Sequence, residues 1–423
     1  MRAMHMTTVA RSLLLGLCLL MALPSAAPAE TAGPPDVQGI SVERLRRVDE
    51  FIARLQREGK LAGAVTLIAR RGQVVSLKAH GLADLESQRA MRVDDLFRLQ
   101  SMTKPIATVV ALQLMEEGRL RLADPVAKFL PEFADMKVAV ARPEAPGGYE
   151  LQPAARPMTI LDLLTHRAGF VGLPPRDTPG ARLRREAAKS LPPEAETTLA
   201  AYVTQLAASP LDSQPGESFS YGPATVVLGR VIEAVTGQGL DQAFGERVFK
   251  PLRMRETSFA VAESQRARIA SPYALKPGQG LVRVPLDPLN PRLLSAGGNL
   301  TGTAQDYFRF AQMLLNGGTL DGVRVLSRKS VELMTAPQLD AIPLPFLAGQ
   351  AFGLGVALQK AGGASGLLGS PGTYGWSGGY NTYFRIDPRE QLVIVLLAQL
   401  VFTPFELELQ YGFHNTAMQA IND

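Results

Sequence analysis

From residue 41 to residue 60, apolar side chains recur at three- and four-residue steps: Val42, Leu45, Val48, Phe51, Ile52 and Leu55. That spacing gathers them into one stripe and predicts an amphipathic helix. The pattern then shortens to two β-prone runs, 64–69 and 74–80, which predict strands about the turn Arg70-Arg71-Gly72-Gln73. Helical spacing returns from Ser101 to Glu117 through Ile106, Val109, Val110, Leu112 and Leu114.

From residue 123 to about 255 the pattern stays helical, with helices expected at 162–166, 198–208, 224–235 and 240–248. Segments 142–156 and 172–194 are dense in proline and charge. They are expected to be long surface loops, of the kind that rim sites. Another helix is predicted at 304–316, where Thr303 and Asp306 approximate a capping box. Near the end, strands at 382–386 and 392–398 flank the turn Asp387-Pro388-Arg389-Glu390, and a last helix is expected over 404–421. No internal repeat is found. Strands at both ends around a helical middle predict an α/β fold in which one sheet is built from both chain ends. The α/β part is expected at about 38–100 and 256–423, and the helical part at about 101–255.

Residues 1–29 stand outside this pattern. Arg2 and Arg11 precede a short apolar run over 13–23, and Ala27-Pro28-Ala29 offers small residues at a cleavage site, which reads as a signal peptide. The run is shorter than the roughly 20 apolar residues that a membrane span needs, so no stable membrane insertion is expected after cleavage. Cys18, the single cysteine, lies within this run behind bulky Leu17, which argues against lipid attachment. The mature chain thus lacks thiols and disulfides and is expected to be periplasmic or secreted.

Composition narrows the class. With 46% hydrophobic and 20% charged residues in a chain of 423, disorder is excluded and a large core is available. The 44 basic and 39 acidic residues are scattered and leave a net charge of +5. Nucleic acid is not expected as a partner, because that footprint needs clustered Lys and Arg.

Four histidines without an HExxH pattern disfavour a zinc peptidase, and there is no P-loop. One GxSxG occurs, at Gly375-Trp376-Ser377-Gly378-Gly379. A nucleophile elbow needs a strand before its serine and a helix after it. A hairpin follows here, so Ser377 is disfavoured as nucleophile. What remains is Ser101-Met102-Thr103-Lys104, and Lys104 is the only lysine with serine three residues before it. This spacing puts both side chains on one helix face, a turn apart. The helix start favours negative charge on the serine oxygen, and lysine supplies an ammonium or a base.

Two later segments complete an order. Ser220-Tyr221-Gly222-Pro223 precedes an apolar helix, and Trp376-Ser377-Gly378-Gly379 leads into the last hairpin. From about residue 41 to 420 the chain resembles the penicillin-recognising serine hydrolases, particularly class C β-lactamases and family VIII carboxylesterases. Leu163-Leu164-Thr165-His166-Arg167-Ala168-Gly169, residues 118–125 and Ser295-Ala296-Gly297-Gly298 share in the likeness.

The resemblance implies that Ser101 is acylated and that Lys104 and Tyr221 form its base system. The backbone N–H groups of Ser101 and Gly379 would hold the oxyanion, and Trp376, Ser377 and Gly378 would bind substrate. No cofactor or metal is implied. Two departures stand out. Trp376 occupies a position where the lactamase and peptidase branches place a cation, and Pro223 replaces the asparagine of Tyr-x-Asn. Both point from lactams and peptides toward small-molecule esters, with uncharged acyl groups of short or medium length favoured by the indole. The expected activity is ester hydrolysis, with acyl transfer where an alcohol replaces water. The alternatives are a β-lactamase or DD-peptidase, and a non-catalytic penicillin-binding-like scaffold, which would have no need of an intact Ser101, Lys104 and Tyr221. His166 is expected to be a satisfied structural histidine, and Ser295–Asn299 a glycine-rich turn lining the cleft.

One outcome follows from the leader. N-terminal sequencing of exported protein is expected to begin at Glu30, and retention of Met1 on exported material would refute the assignment.

Overall fold

The apolar runs at the two ends of the chain pair with each other. The computed structural model describes residues 36–423 except 176, 190–195, 290, 340–343, 345–346 and 402–405. The signal-peptide assignment therefore lies outside the described residues. Helix α1 (Val42–Arg57) is followed by β1 (Gly63–Arg70), β2 (Gln73–Asp84) and β3 (Arg89–Ala90). The rest of the central sheet comes from β4 (Gln350–Phe352), β5 (Ala357–Gln359), β6 (Tyr374–Gly378), β7 (Thr382–Asp387) and β8 (Leu392–Ala398). The order is β4-β5-β6-β7-β8-β1-β2-β3, antiparallel throughout. The two ends meet where Ala64 lies opposite Ala398 and Arg70 opposite Leu392.

Strands β1 and β8 are buried along their whole length, which explains why they read as continuous apolar runs and not as alternating ones. Alternation persists in where the side chains go. Val393, Val395 and Leu397 join the larger core, whereas Ile394 and Leu396 join a second core on the other face. Helices α1 and α5 (Glu406–Met418) cover that second face, through Leu45, Val48, Ile52, Leu409 and Phe413. Helices α2 (Thr103–Glu116), α3 (Ala224–Thr236) and α4 (Ala304–Leu315) contribute to the larger core, with α4 packed on β1, β7 and β8. No helix among the described residues is long and apolar enough to cross a membrane.

Three expectations need correction. The segment 142–156 is not simply a loop, because Lys137–Ala141 and Tyr149–Pro153 form an antiparallel hairpin. Within 172–194, Pro179–Ala188 is a helix whose Thr178 side chain caps Ala181 N–H. At Thr303 only half of the capping box forms. Its side chain accepts from Asp306 N–H, but the Asp306 carboxylate accepts instead from Glu256 N–H at 2.7 Å and the Thr257 hydroxyl at 2.9 Å. A full box exists at Thr159–Asp162.

Candidate active site

Ser101 lies in a single 3₁₀ turn, Gln100–Met102, immediately before α2. Three hydrogen bonds fix that turn. The Thr382 hydroxyl donates to Leu99 O at 2.8 Å, the Tyr307 hydroxyl to Met102 O at 2.8 Å, and Gln100 Nε2 to Asp287 Oδ2 at 2.8 Å. Gln100 itself has φ of +50°, a left-handed backbone that costs a non-glycine residue about 1–3 kcal/mol and persists only where the surroundings enforce it. Strand β6 comes close alongside because residue 378 is glycine. A Cβ there would fall 2.5 Å from Leu99 O and 3.0 Å from Gln100 Cβ.

Lys104 is in the first turn of α2 and only 6% exposed. Its Nζ donates to Ser101 Oγ at 2.9 Å and to Gly297 O at 2.7 Å, and it lies 4.8 Å from the centre of the Tyr221 ring. Tyr221 is held by two backbone hydrogen bonds with Leu173, at 2.8 and 3.1 Å. Gly172 permits this approach, since a Cβ there would fall 2.5 Å from Tyr221 O. Trp376 Nε1 donates to Tyr221 Oη at 3.1 Å, and the rings are 5.4 Å apart between centres.

Two cavities meet at this cluster. An apolar one of about 500 Å³ is lined by Ser101, Leu173, Tyr221, Trp376 and Gly379 among others. A more polar one of about 740 Å³ is lined by Lys104, Pro223, Ser295, Gly297, Asn299 and Asp287. The structure thus brings Ser101, Lys104, Tyr221, Trp376, Ser377, Gly378 and Gly379 together. The turn at 295–299 lines the polar cavity as expected, and Gly297 supplies a lysine acceptor. Trp376 does more than wall the cavity, because its N–H engages the tyrosine. Sequence reasoning missed Asp287, which also accepts from the Tyr380 hydroxyl at 3.0 Å, and Arg385 and Gln350, which line the apolar cavity. These are ordinary polar residues without motif or spacing, and only the folded sheet brings them here.

His166 is buried as expected but not fully satisfied. Its ring lies against Tyr221 at 4.7 Å, Phe352 at 5.7 Å and Phe219 at 5.9 Å between centres, and Nδ1 has no hydrogen-bond partner among the described residues. Burial, with help from the Lys104 charge, pushes it down to about 3 from an ordinary 6.5. A general base of that strength is ineffective near neutrality.

A β-lactamase/transpeptidase-like sheet between helical layers, with a Ser-x-x-Lys pair and a tyrosine beside one strand, defines the class as a penicillin-recognising serine hydrolase fold. The chain belongs to the beta-lactamase family, whose model matches residues 48–413. It is 38% identical over 227 residues to esterase EstB of Burkholderia gladioli, covering 54% of each chain. It is 30% identical over 345 residues to penicillin-binding protein 4 of Amycolatopsis lactamdurans, covering 81% of this chain and 82% of that one. Its fold matches EstCE1, described as a hydrolase with promiscuous acyltransferase activity. That match has a TM-score of 0.72 and 27% identity, and covers 90% of this chain and 99% of the other.

The buried histidines set an acid limit. His414 is likewise pushed down, to about 4, chiefly by burial. Both rings stay neutral in the folded state, whereas an unfolded histidine takes up a proton near pH 6.5. The stability at stake is complete above about pH 6.5 and lost as pH falls toward 4, at about 1.4 kcal/mol per pH unit for each ring. Urea midpoints are expected to fall across that window, and His166→Phe to make the slope shallower. An unchanged slope in that variant would contradict the assignment of His166.

Proposed function

We propose that the protein is an exported serine carboxylesterase that cleaves short- to medium-chain esters through an acyl-enzyme on Ser101. The observation that carries this reading is Lys104 Nζ at 2.9 Å from Ser101 Oγ and beneath the Tyr221 ring, with Ser101 itself at the wall of an apolar cavity. Ser101 Oγ attacks the ester carbonyl while its proton passes to the Lys104–Tyr221 pair. The tetrahedral oxyanion accepts hydrogen bonds from the backbone N–H groups of Ser101 and Gly379. The pair then returns the proton to the leaving alkoxide. Water, or an alcohol, enters to release the acyl group and regenerate Ser101.

Holding an ordinary tyrosine ionised at pH 7 costs about 4 kcal/mol. Tyr221 lies within reach of the serine proton, with Lys104 Nζ 4.8 Å from its ring centre and Trp376 Nε1 donating to its Oη at 3.1 Å. The similarity to esterase EstB supports ester chemistry, and the similarity to EstCE1, a hydrolase with promiscuous acyltransferase activity, supports acyl transfer as a second outcome of the same intermediate. The similarity to a penicillin-binding protein keeps a lactam- or peptide-directed activity as the competing reading. Against it stand Trp376 and Pro223, which offer neither a motif cation nor an amide.

Ser101→Ala is expected to abolish turnover and fluorophosphonate labelling, while Ser377→Ala keeps the label. Since acid–base help alone is worth about 10²–10⁴, a Ser101 variant retaining more than about a hundredth of the activity would refute the nucleophile. In a panel of p-nitrophenyl acetate to hexanoate, nitrocefin and a D-Ala-D-Ala peptide, the esters should lead in kcat/KM. A higher kcat/KM for nitrocefin would instead make the protein a β-lactamase.

Tyr221→Phe and Lys104→Ala should each lower kcat by several orders of magnitude, with the double variant little worse than the poorer single one, as expected of groups acting as a unit. Additive losses would show that the two act separately.

A further inference from the structure

Strand β7 carries a second cation to the cavity beside Ser101. Arg385 is 7% exposed and lines the apolar cavity with Ser101, Trp376 and Ser377. Its guanidinium is held in place, with Nε donating to Tyr383 Oη at 3.0 Å and Nη2 to Gln350 Oε1 at 3.1 Å. Behind Tyr383 stands His414. Its Nε2 lies 2.6 Å from Leu368 O and its Nδ1 3.0 Å from Tyr383 Oη. A carbonyl only accepts, so Nε2 carries the histidine proton, Nδ1 accepts from Tyr383, and Tyr383 Oη is left to accept from Arg385. Apart from the guanidinium itself, the groups of this relay are neutral. Burial holds the Tyr383 hydroxyl above its ordinary value and the His414 ring below.

No carboxylate among the described residues pairs with Arg385, and its Nη1 is buried without a hydrogen-bond partner. Gly375 lies directly opposite Arg385 in the β6–β7 register, where a Cβ would fall 2.1 Å from Phe384 O and 3.0 Å from Arg385 Cα. A guanidinium keeps its charge under all ordinary conditions, and a buried charge without a counter-charge is costly. A purely structural arginine would be expected to meet an aspartate or glutamate. This one is fixed by neutral groups, and the unpaired nitrogen lies on a residue that faces the cavity holding Ser101. A planar pair of N–H groups is the donor geometry that a carboxylate fits.

We propose that Arg385, steadied by Gln350 and Tyr383, is a binding site for a carboxylate on the substrate's acyl chain, so that the preferred substrates are half-esters of dicarboxylic acids. The proposal rests on the esterase reading for the bond that is cleaved, and it revises the expectation, drawn from Trp376 alone, that uncharged acyl groups are favoured. Leu173, Pro174, Leu347 and Leu407 offer apolar surface to the methylene chain, while Arg385 neutralises its acidic end.

Trp376 is the only tryptophan in the chain, so intrinsic fluorescence reports occupancy of this cavity without any turnover. In the Ser101→Ala protein, monomethyl adipate should bind about 10–150-fold more tightly than methyl hexanoate of equal chain length. That is the range expected for hydrogen bonds to a charged group. Adding Arg385→Gln should collapse the ratio toward one, whereas Arg385→Lys should retain part of it. Equal affinities in the Ser101→Ala protein, or a ratio that survives Arg385→Gln, would overturn the site. Should Arg385→Gln fail to fold, the comparison in Ser101→Ala still decides. Titrimetric turnover by the unmutated enzyme separates the two readings. Hydrolysis of methyl hexanoate without a binding preference sinks the anion site alone. A binding preference with no hydrolysis of either ester sinks the esterase reading alone.

Discussion

Lys104 brings an ammonium group into an interior where the transfer of an ion from water costs several kcal/mol, and no described carboxylate offsets that cost. Its hydrogen bonds go to a hydroxyl, Ser101 Oγ, and a carbonyl, Gly297 O, while the Tyr221 ring presents its electron-rich face. Much of the surrounding architecture can be read as meeting this one requirement. The turn at 295–299 supplies the carbonyl, the bridge to Leu173 fixes the tyrosine, and the 3₁₀ turn delivers the serine at a strained neighbour, Gln100. A carboxylate in the place of Gly297 O would neutralise the lysine and leave less positive field beside Ser101.

The site also separates two solvent environments. The serine faces the apolar cavity and the lysine lines the polar one. The cluster therefore has two tasks, presenting apolar surface on one side and polar groups on the other. The indole of Trp376 belongs to both tasks. It is 6% exposed and packs on Phe352, and its N–H is directed at the catalytic tyrosine candidate. Trp376 therefore sets a fixed dipole and a hydrophobic surface where the resemblance leads one to expect a cation.

Much of this was legible before any coordinates. The terminal strands were plain because β1 and β8 are buried on both faces and so read as unbroken apolar runs. Helices α1 and α4 announced themselves by one-sided stripes. The hairpin at 137–153 was hidden because its strands are only five residues long, the first diluted by alanine and the second carrying charge and ending in proline. The helix over Pro179–Ala188 was hidden by its charge, since little of it is buried. At the site, Ser101, Lys104, Tyr221 and Trp376 were recognisable by spacing and order. Gly297 acts through its backbone carbonyl, which no side-chain motif records. Arg385 and Gln350 meet only because β4 and β7 share a sheet, and an arginine in a strand gives no sign that no carboxylate among the described residues pairs with it.

Strand β1 is paired on one side with β2, its neighbour in sequence, and on the other with β8, near the far end of the chain. As the polypeptide leaves the ribosome, the first hairpin and α1 therefore emerge long before the strand and helix that cover them. Contacts between such distant segments are slow to form, and in the interval the apolar edge of β1 is open to other chains. The sheet closes only when residue 398 has been made, and the second core only when α5 follows. Damage to the last thirty residues would then lower the yield of folded molecules sooner than it would blunt the ones that succeed.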